Sequence, residues 1–434
     1  MRTQLLVSRA ALGLSLGLSL GASLVGASGC KWTEFDDLQE DTWVTSTGKP
    51  DNDAANWGVA IARVTQGGDL ARLAVIGASE AVYNDVTIDR KGETKVTSEL
   101  EIGATFVLGN LAVEPLLLSS PDSNEAALAA VLADGRATVI RARDGVLTNI
   151  FVVGTNAPPV AATYMIPPAT DGDPVGAQVL VAQGSTVHPS FFFRTMQPNP
   201  PLKCQLRDDS MQEIQIRSMG AFRPVGAAYD DLLVLSQSGK LLIYDGDVFN
   251  GCDPARTPRF GMTLDLGFTD AVSGSQILAF EDLDQAGAVS AQYALVQAHG
   301  DGGRSHLGLY RIDGTEITQI GLPQTLPGLR TAAVFRHQEG DQRYVLASYP
   351  TESIDGVTGG VVRAFELDTE DTGAGIGQNV AHELHDAQPE ANQAFGRGLA
   401  VLPYNGKNII AVAADNEVFL YFRTLFYGET RQDR

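Results

Sequence analysis

The chain has 434 residues, with 31 Lys+Arg against 52 Asp+Glu and a formal charge of −21. That balance argues against a nucleic-acid ligand, which is held by basic side chains neutralising phosphates, and against a basic patch for anionic lipid headgroups. With 44 % hydrophobic residues, 46 Gly and 20 Pro, the chain is not low-complexity and can bury a large core.

Met1 to Arg9 carries Arg2 and Arg9 and no acid, and Ala10 to Val25 is an apolar run built on Leu-Gly and Leu-Ser pairs. The run is too short and too rich in Gly and Ser to span a bilayer, so residues 1–29 read as a secretory signal peptide. The small residues Ala27-Ser28-Gly29 precede Cys30 directly. This resembles the bacterial lipobox, although Ala27 stands where that family usually has Leu. The resemblance implies cleavage before Cys30, acylation of its thiol (palmitate among the chains), and export to the outer membrane, on either its periplasmic or its surface face. Each buried acyl methylene contributes about 0.8 kcal/mol, so several chains on one Cys form a durable anchor. Cys204 and Cys252 remain, and an oxidising compartment favours a disulfide between them over two free thiols.

Residues 30–56 are acidic and polar without a sustained period, which suits a flexible tether. From Trp57 to residue 423, short apolar runs alternate with turn residues, and no long stretch keeps a helical period. The runs repeat. Trp57-Gly58-Val59-Ala60-Ile61-Ala62, a Gly67 to Asp69 turn and Leu73-Ala74-Val75-Ile76-Gly77-Ala78 open the series. Phe395-Gly396 leading into Leu399-Ala400-Val401, then Ile409 to Ala414, then Val418-Phe419-Leu420-Tyr421, close it. Weaker copies lie between, among them Leu232–Leu235 with Leu241–Tyr244, and Tyr344–Ser348 with Val361–Phe365. A period of about 52 residues with several strands per unit predicts an all-β, about seven-bladed β-propeller of four-stranded blades, with residues 424–434 as a tail. The phrase aromatic-Gly, turn, Leu/Ile-Ala-Val-small resembles the FG-GAP repeat of integrin alpha-like propellers, and that resemblance implies a recognition or adhesion role.

In that family some inter-strand turns carry a calcium loop of the Asp-x-Asp-x-Asp-Gly type. The best match is Asp282-Leu283-Asp284-Gln285-Ala286-Gly287, where the third acid is missing, so Asp282 and Asp284 are weak calcium candidates beside the alternative of solvated acidic turns. The cluster His382-Glu383-Leu384-His385-Asp386 spaces its His residues at i and i+3 rather than the i, i+4 of helical zinc sites; His299, Asp301 and His306 form a looser group. Both read better as loop residues than as zinc ligands. The two Gly-x-Ser-x-Gly matches, around Ser15 and Ser19, fall in the signal peptide, and no nucleophile–base pair can be assembled. The aromatics Phe191-Phe192-Phe193, Tyr310, Phe365, Phe419 and Tyr421 recur late in their units and read as packing between blades. The sequence thus favours a non-enzymatic lipoprotein that binds a protein or glycan through the loops Ile166–Gly176, Phe249–Phe260 and Thr351–Gly360. A periplasmic scaffold of an outer-membrane assembly, and a hydrolase or lyase with its site in the channel, are the alternatives. No cofactor beyond calcium is expected.

Overall fold

The computed structural model describes residues 158–166, 178–191, 203–250, 257–268, 274–283, 289–314, 316–336, 343–354, 356–370, 373–386, 390–404, 407–415 and 417–421, together with strand backbone between 42 and 152. The expected signal peptide, Cys30, Cys252, Asp284 and the tail at 424–434 lie outside the described residues.

The protein is an all-β propeller of four-stranded antiparallel blades. Strand β1 is Thr42–Ser46, and two blades known as backbone follow: β2–β5 (Gly58–Arg63, Leu70–Ile76, Ala81–Ile88, Thr94–Ile102) and β6–β9 (Leu116–Ser119, Ala126–Val131, Arg136–Arg141, Leu147–Val152). Five blades are described with side chains. They are β10–β13 (Ala161–Met165, Gln178–Gln183, Thr186–Phe191, Cys204–Gln205), β14–β17 (Ile216–Phe222, Asp231–Ser236, Lys240–Tyr244, Phe260–Thr263) and β18–β21 (Gln276–Leu283, Val289–His299, Ser305–Ile312, Ile317–Thr325). Next come β22–β25 (Ala332–Arg336, Arg343–Tyr349, Val361–Leu367, Ile376–Leu384) and, lastly, β26–β28 (Gly398–Tyr404, Lys407–Ala413, Glu417–Tyr421). The first strand of each blade touches the first strand of the next, and β26 touches β2, so these strands form a closed inner ring.

The last blade is completed from the other end of the chain. β1 pairs antiparallel with β28, Val44 opposite Phe419, and supplies the outer strand. This corrects part of the sequence reading: residues 42–46, placed in the tether, belong to the propeller. Their alternation of Thr, Trp, Val, Thr and Ser is too short to stand out from a polar stretch, and pairing with the unfilled edge of β28 decides the outcome.

The core lies between blades. On β15, Leu232 and Val234 pack with Leu180, Val187 and Met165 of the preceding blade. Their neighbours Leu233 and Leu235 point the other way, onto Ile277, Ala294 and Val296 of the following one. The same division recurs on β23, with Val345 and Ala347 facing β18–β21 and Leu346 facing β26–β28. A middle strand is therefore buried on both faces and reads as an unbroken apolar run. Outer strands have one face on the core and one in water, and β21 buries only Ile317, Ile320 and Gln324, its period broken by a register shift against β20. Inner strands converge, which limits side-chain volume: a Cβ on Gly220 would sit 2.8 Å from the carbonyl oxygen of Ile277 in the next blade.

Of the aromatics expected to pack, the side chains of Phe191, Phe192 and Phe193 lie outside the described residues, and the others are placed. Tyr310, Phe365, Phe419 and Tyr421 are all buried. Phe395 is fully buried and meets Phe419 edge-on at 5.1 Å, while Gly396 adopts φ +89° with Ser348 and Val362 packed against it. The aromatic-Gly phrase is thus a plug followed by a left-handed turn between two blades.

Candidate functional site at the trailing face

Because every blade is an antiparallel meander, all inner strands run in one direction, and the propeller has a leading face where they begin and a trailing face where they end. In four successive blades the trailing end of the inner strand carries a small or β-branched residue followed by an aromatic: Thr163-Tyr164, Ala221-Phe222, Ala279-Phe280 and Val334-Phe335. Pairing across to the second strand places Val179, Asp231, Tyr293 and Tyr344 opposite those aromatics. In the first three of these blades the next residue on the inner strand is Met165, Arg223 or Glu281. The result is an aromatic tier with a mostly charged tier above it.

Tyr164, Phe222, Arg223, Asp230, Phe280, Glu281 and Gln292, with Ala221 and Ala279 between them, line a cleft of about 280 Å³ where three of these blades meet. Asp230 builds one wall. Its Oδ2 accepts the Ile166 backbone N–H at 2.7 Å and its Oδ1 accepts from Arg223 Nε at 2.9 Å, while its own N–H donates to the Ile166 carbonyl at 2.8 Å. One carboxylate therefore fastens the β14–β15 corner to the end of β10 and orients a guanidinium that stays 42 % exposed. Burial, with the Asp230 charge adding to it, pushes the Tyr164 hydroxyl up to about 12, so it remains a neutral donor.

The far wall differs. Glu281 is exposed and has no ion-pair partner among the described residues. Gln292 is 3 % exposed, lines the cleft, and leaves its Nε2 without a hydrogen-bond partner. An orphaned buried amide costs about 1–3 kcal/mol in desolvation. The cleft is therefore lined by residues carrying a guanidinium, a neutral phenol, a buried amide and a carboxylate above aromatic rings. These are the groups that hold and orient a polar side chain or a sugar hydroxyl.

The residues singled out in the sequence fall elsewhere. Asp282, in β18, forms an ion pair with the Arg343 guanidinium, and among the described residues no group of three or more His, Cys, Asp and Glu is placed to hold a metal. The Asp282 carboxylate is thus engaged by a cation, while Asp284 and the rest of the candidate calcium loop lie outside the described residues. His382 stands edge-on to Tyr344 at 5.8 Å, Glu383 pairs with Arg363 at 2.7 Å, and His385 Nδ1 is 2.7 Å from the Asp386 carbonyl. His382 lies within β25 and His385 just past its end at Leu384, and the two keep separate partners. His299 bonds Ser305 Oγ at 2.7 Å, His306 lies 3.1 Å from the Tyr310 hydroxyl, and Asp301 pairs with Arg304 at 2.6 Å, so these three do not converge either. Of the three segments expected to bind a partner, residues 167–176 and 251–256 lie outside the described residues, and Thr351–Gly360 connects β23 to β24 on the leading face. Cys204 is buried at the start of β13.

The cleft residues Tyr164, Arg223, Glu281 and Gln292 were missed in the sequence, although a signal is present. Gly220-Ala221-Phe222-Arg223, Leu278-Ala279-Phe280-Glu281 and Ala333-Val334-Phe335-Arg336 share an apolar-small-aromatic-charged phrase. Each copy looks like an ordinary strand end until blades bring them together.

No family model matches the chain, and no curated protein matches it. Among solved structures, the chain is similar to a crystal structure of BBS1N in complex with ARL6DN, soaked with mercury. That likeness has 11 % identity and a TM-score of 0.49, over 88 % of this chain and 95 % of the other.

Proposed function

We propose that this protein is a lipid-anchored, non-enzymatic recognition propeller that binds a protein or glycan partner at its trailing face. The observation that carries the reading is the cleft at the junction of three blades, with the buried Gln292 amide unpartnered and Arg223 held ready by Asp230. Both Asp230 oxygens are engaged by neighbours, which favours a positioning role for that acid over proton transfer. The FG-GAP-like phrase around Phe395 and Gly396 supports placement among recognition propellers, and the segment before Cys30 supports export and acylation of that thiol. The proposed address is the outer membrane.

A photoreactive amino acid at Glu281 of the full-length protein in intact cells should give a discrete adduct that Arg223→Glu abolishes, while the same probe at Leu322, 74 % exposed on β21, gives none. Equal adducts at both positions, or none at Glu281, would overturn the assignment of this face. Labelling with a fatty-acid analogue that persists in Cys30→Ser would overturn the anchor.

A further inference from the structure

The interface between the β14–β17 and β18–β21 blades contains a charge with no ion-pair or hydrogen-bond partner among the described residues. Arg217 is 3 % exposed, and its Nε, Nη1 and Nη2 all lack hydrogen-bond partners. It occupies a β-bulge: the pairing of β14 with β15 jumps from Ile216 opposite Ser236 to Ser218 opposite Leu235, leaving Arg217 out of register. A bulge re-aims a side chain, and here it sends the guanidinium to 5.4 Å from the centre of the Phe268 ring, in the connection from β17 to β18. Burial alone pushes the Arg217 guanidinium down from its ordinary value, with no carboxylate acting against it. An uncompensated buried cation is among the most destabilising features a fold can hold.

The surroundings hold several cations. The charges of Arg217 and Arg330 both act on His299 of the next blade, and at His306 the charge of Arg217 is opposed by that of Asp265. Arg304 Cζ lies 6.0 Å from the centre of the same Phe268 ring. Phe268 also forms part of a cleft of about 600 Å³ on the leading face, with Leu266, Ser238 and Arg304. The carboxylates on that rim are Asp265 and Asp301, and Asp301 is already neutralised by Arg304.

We propose that Arg217 anchors a buried binding site for a small oxyanion, a carboxylate or a phosphate, reached from the leading-face cleft when the Phe268 ring turns aside. A planar guanidinium fork with every N–H free matches two oxygens of such an anion, and bound anion would supply the missing counter-charge. The site is separate from the trailing-face cleft, and its success or failure leaves that reading untouched.

The test is thermal unfolding and titration calorimetry of the full-length protein with inorganic phosphate and with citrate, each against chloride at matched ionic strength. Wild type should gain Tm with one or both oxyanions: phosphate alone marks a phosphoryl ligand, citrate alone a carboxylate. Arg217→Met should bind that anion at least tenfold more weakly and, in chloride, unfold at or above the wild-type Tm. Arg217→Lys, which keeps the charge and loses the fork, should fall at least fivefold and serves if the Met variant does not fold. Phe268→Ala should retain the response. No gain over chloride in wild type, or an unchanged gain in the Arg217 variants, would overturn the proposal.

Discussion

At the scale of single residues, the inner ring is fixed by close approach and the interfaces by burial of neutral polar groups. Gly246 follows β16, and a Cβ there would sit far inside van der Waals contact with the Asp230 carbonyl oxygen. Its N–H donates to Asp231 Oδ1 at 2.9 Å, so the turn cannot simply move away. Gly246→Ala should destabilise by about 2–3 kcal/mol, as overpacking does when backbone must shift, and urea unfolding would register it as a lower midpoint at unchanged slope. Histidines set a pH dependence. Burial holds His306 neutral, with its pKa lowered from 6.5 to about 4, and His188 and His299 are lowered in the same direction for the same reason. Below pH 6.5 the unfolded chain takes up protons that the folded chain refuses, so unfolding free energy is full above about 6.5 and declines toward 4. His306→Gln should flatten that decline, and a slope identical to wild type between pH 6.5 and 4 would show that His306 is not one of the groups responsible.

At the scale of elements, the structure shows which strands can be read in a sequence. Middle strands such as Asp231–Ser236 and Arg343–Tyr349 are buried at every position, so their runs were visible and their spacing gave the repeat. Outer strands were not. Phe260–Thr263 alternates half-exposed with exposed, and Cys204–Gln205 is two residues long, so neither differs from a loop by composition. For the same reason Thr42–Ser46 passed as tether, since an outer strand is recognised by the edge it covers and not by its own residues. The cleft was illegible because its members come from β10, β14, β18 and β19, and no linear spacing relates them. Two predictions belong here. Deleting residues 42–46 uncovers the backbone edge of β28, so the protein should lose Tm, by about 1–2 °C for each kcal/mol lost in a propeller of this size, and self-associate through the open strand; light scattering of a monodisperse, equally stable variant would refute the closure. A Cys204–Cys252 bridge would tie β13 to the β16–β17 connection of the next blade, contributing roughly 3–4 kcal/mol for a loop of this separation. Peptide mapping without reductant should recover the two cysteines joined.

At the scale of the whole molecule, closure by β1 brings together the two ends of the propeller and the proposed anchor. Only residues 31–41 separate Cys30 from Thr42, and 11 extended residues reach at most about 40 Å. Under the proposed acylation of Cys30, the last blade would be the one held nearest the bilayer, with fewer than half as many residues between anchor and propeller as the 30–56 tether implies. Since each hydrophobic cluster is shared by two neighbouring blades, a blade cannot lose its packing without exposing the flank of the next, and stability is a sum of interface terms around a ring with no free end. Phe395 tests this. It is fully buried between β22–β25 and β26–β28, far from the cleft, and Phe395→Ala removes a core aromatic worth about 3–5 kcal/mol. In a closed ring the deficit is felt everywhere, so intrinsic fluorescence and hydrogen exchange on β10 to β17 should report the same lowered, single transition as probes beside the mutation. In an open array of independent blades, the damage would stay local and the β10 to β17 amides would keep wild-type protection. A biphasic unfolding curve for Phe395→Ala, with the first phase confined to the terminal blades, would show that β1 does not couple the two ends mechanically.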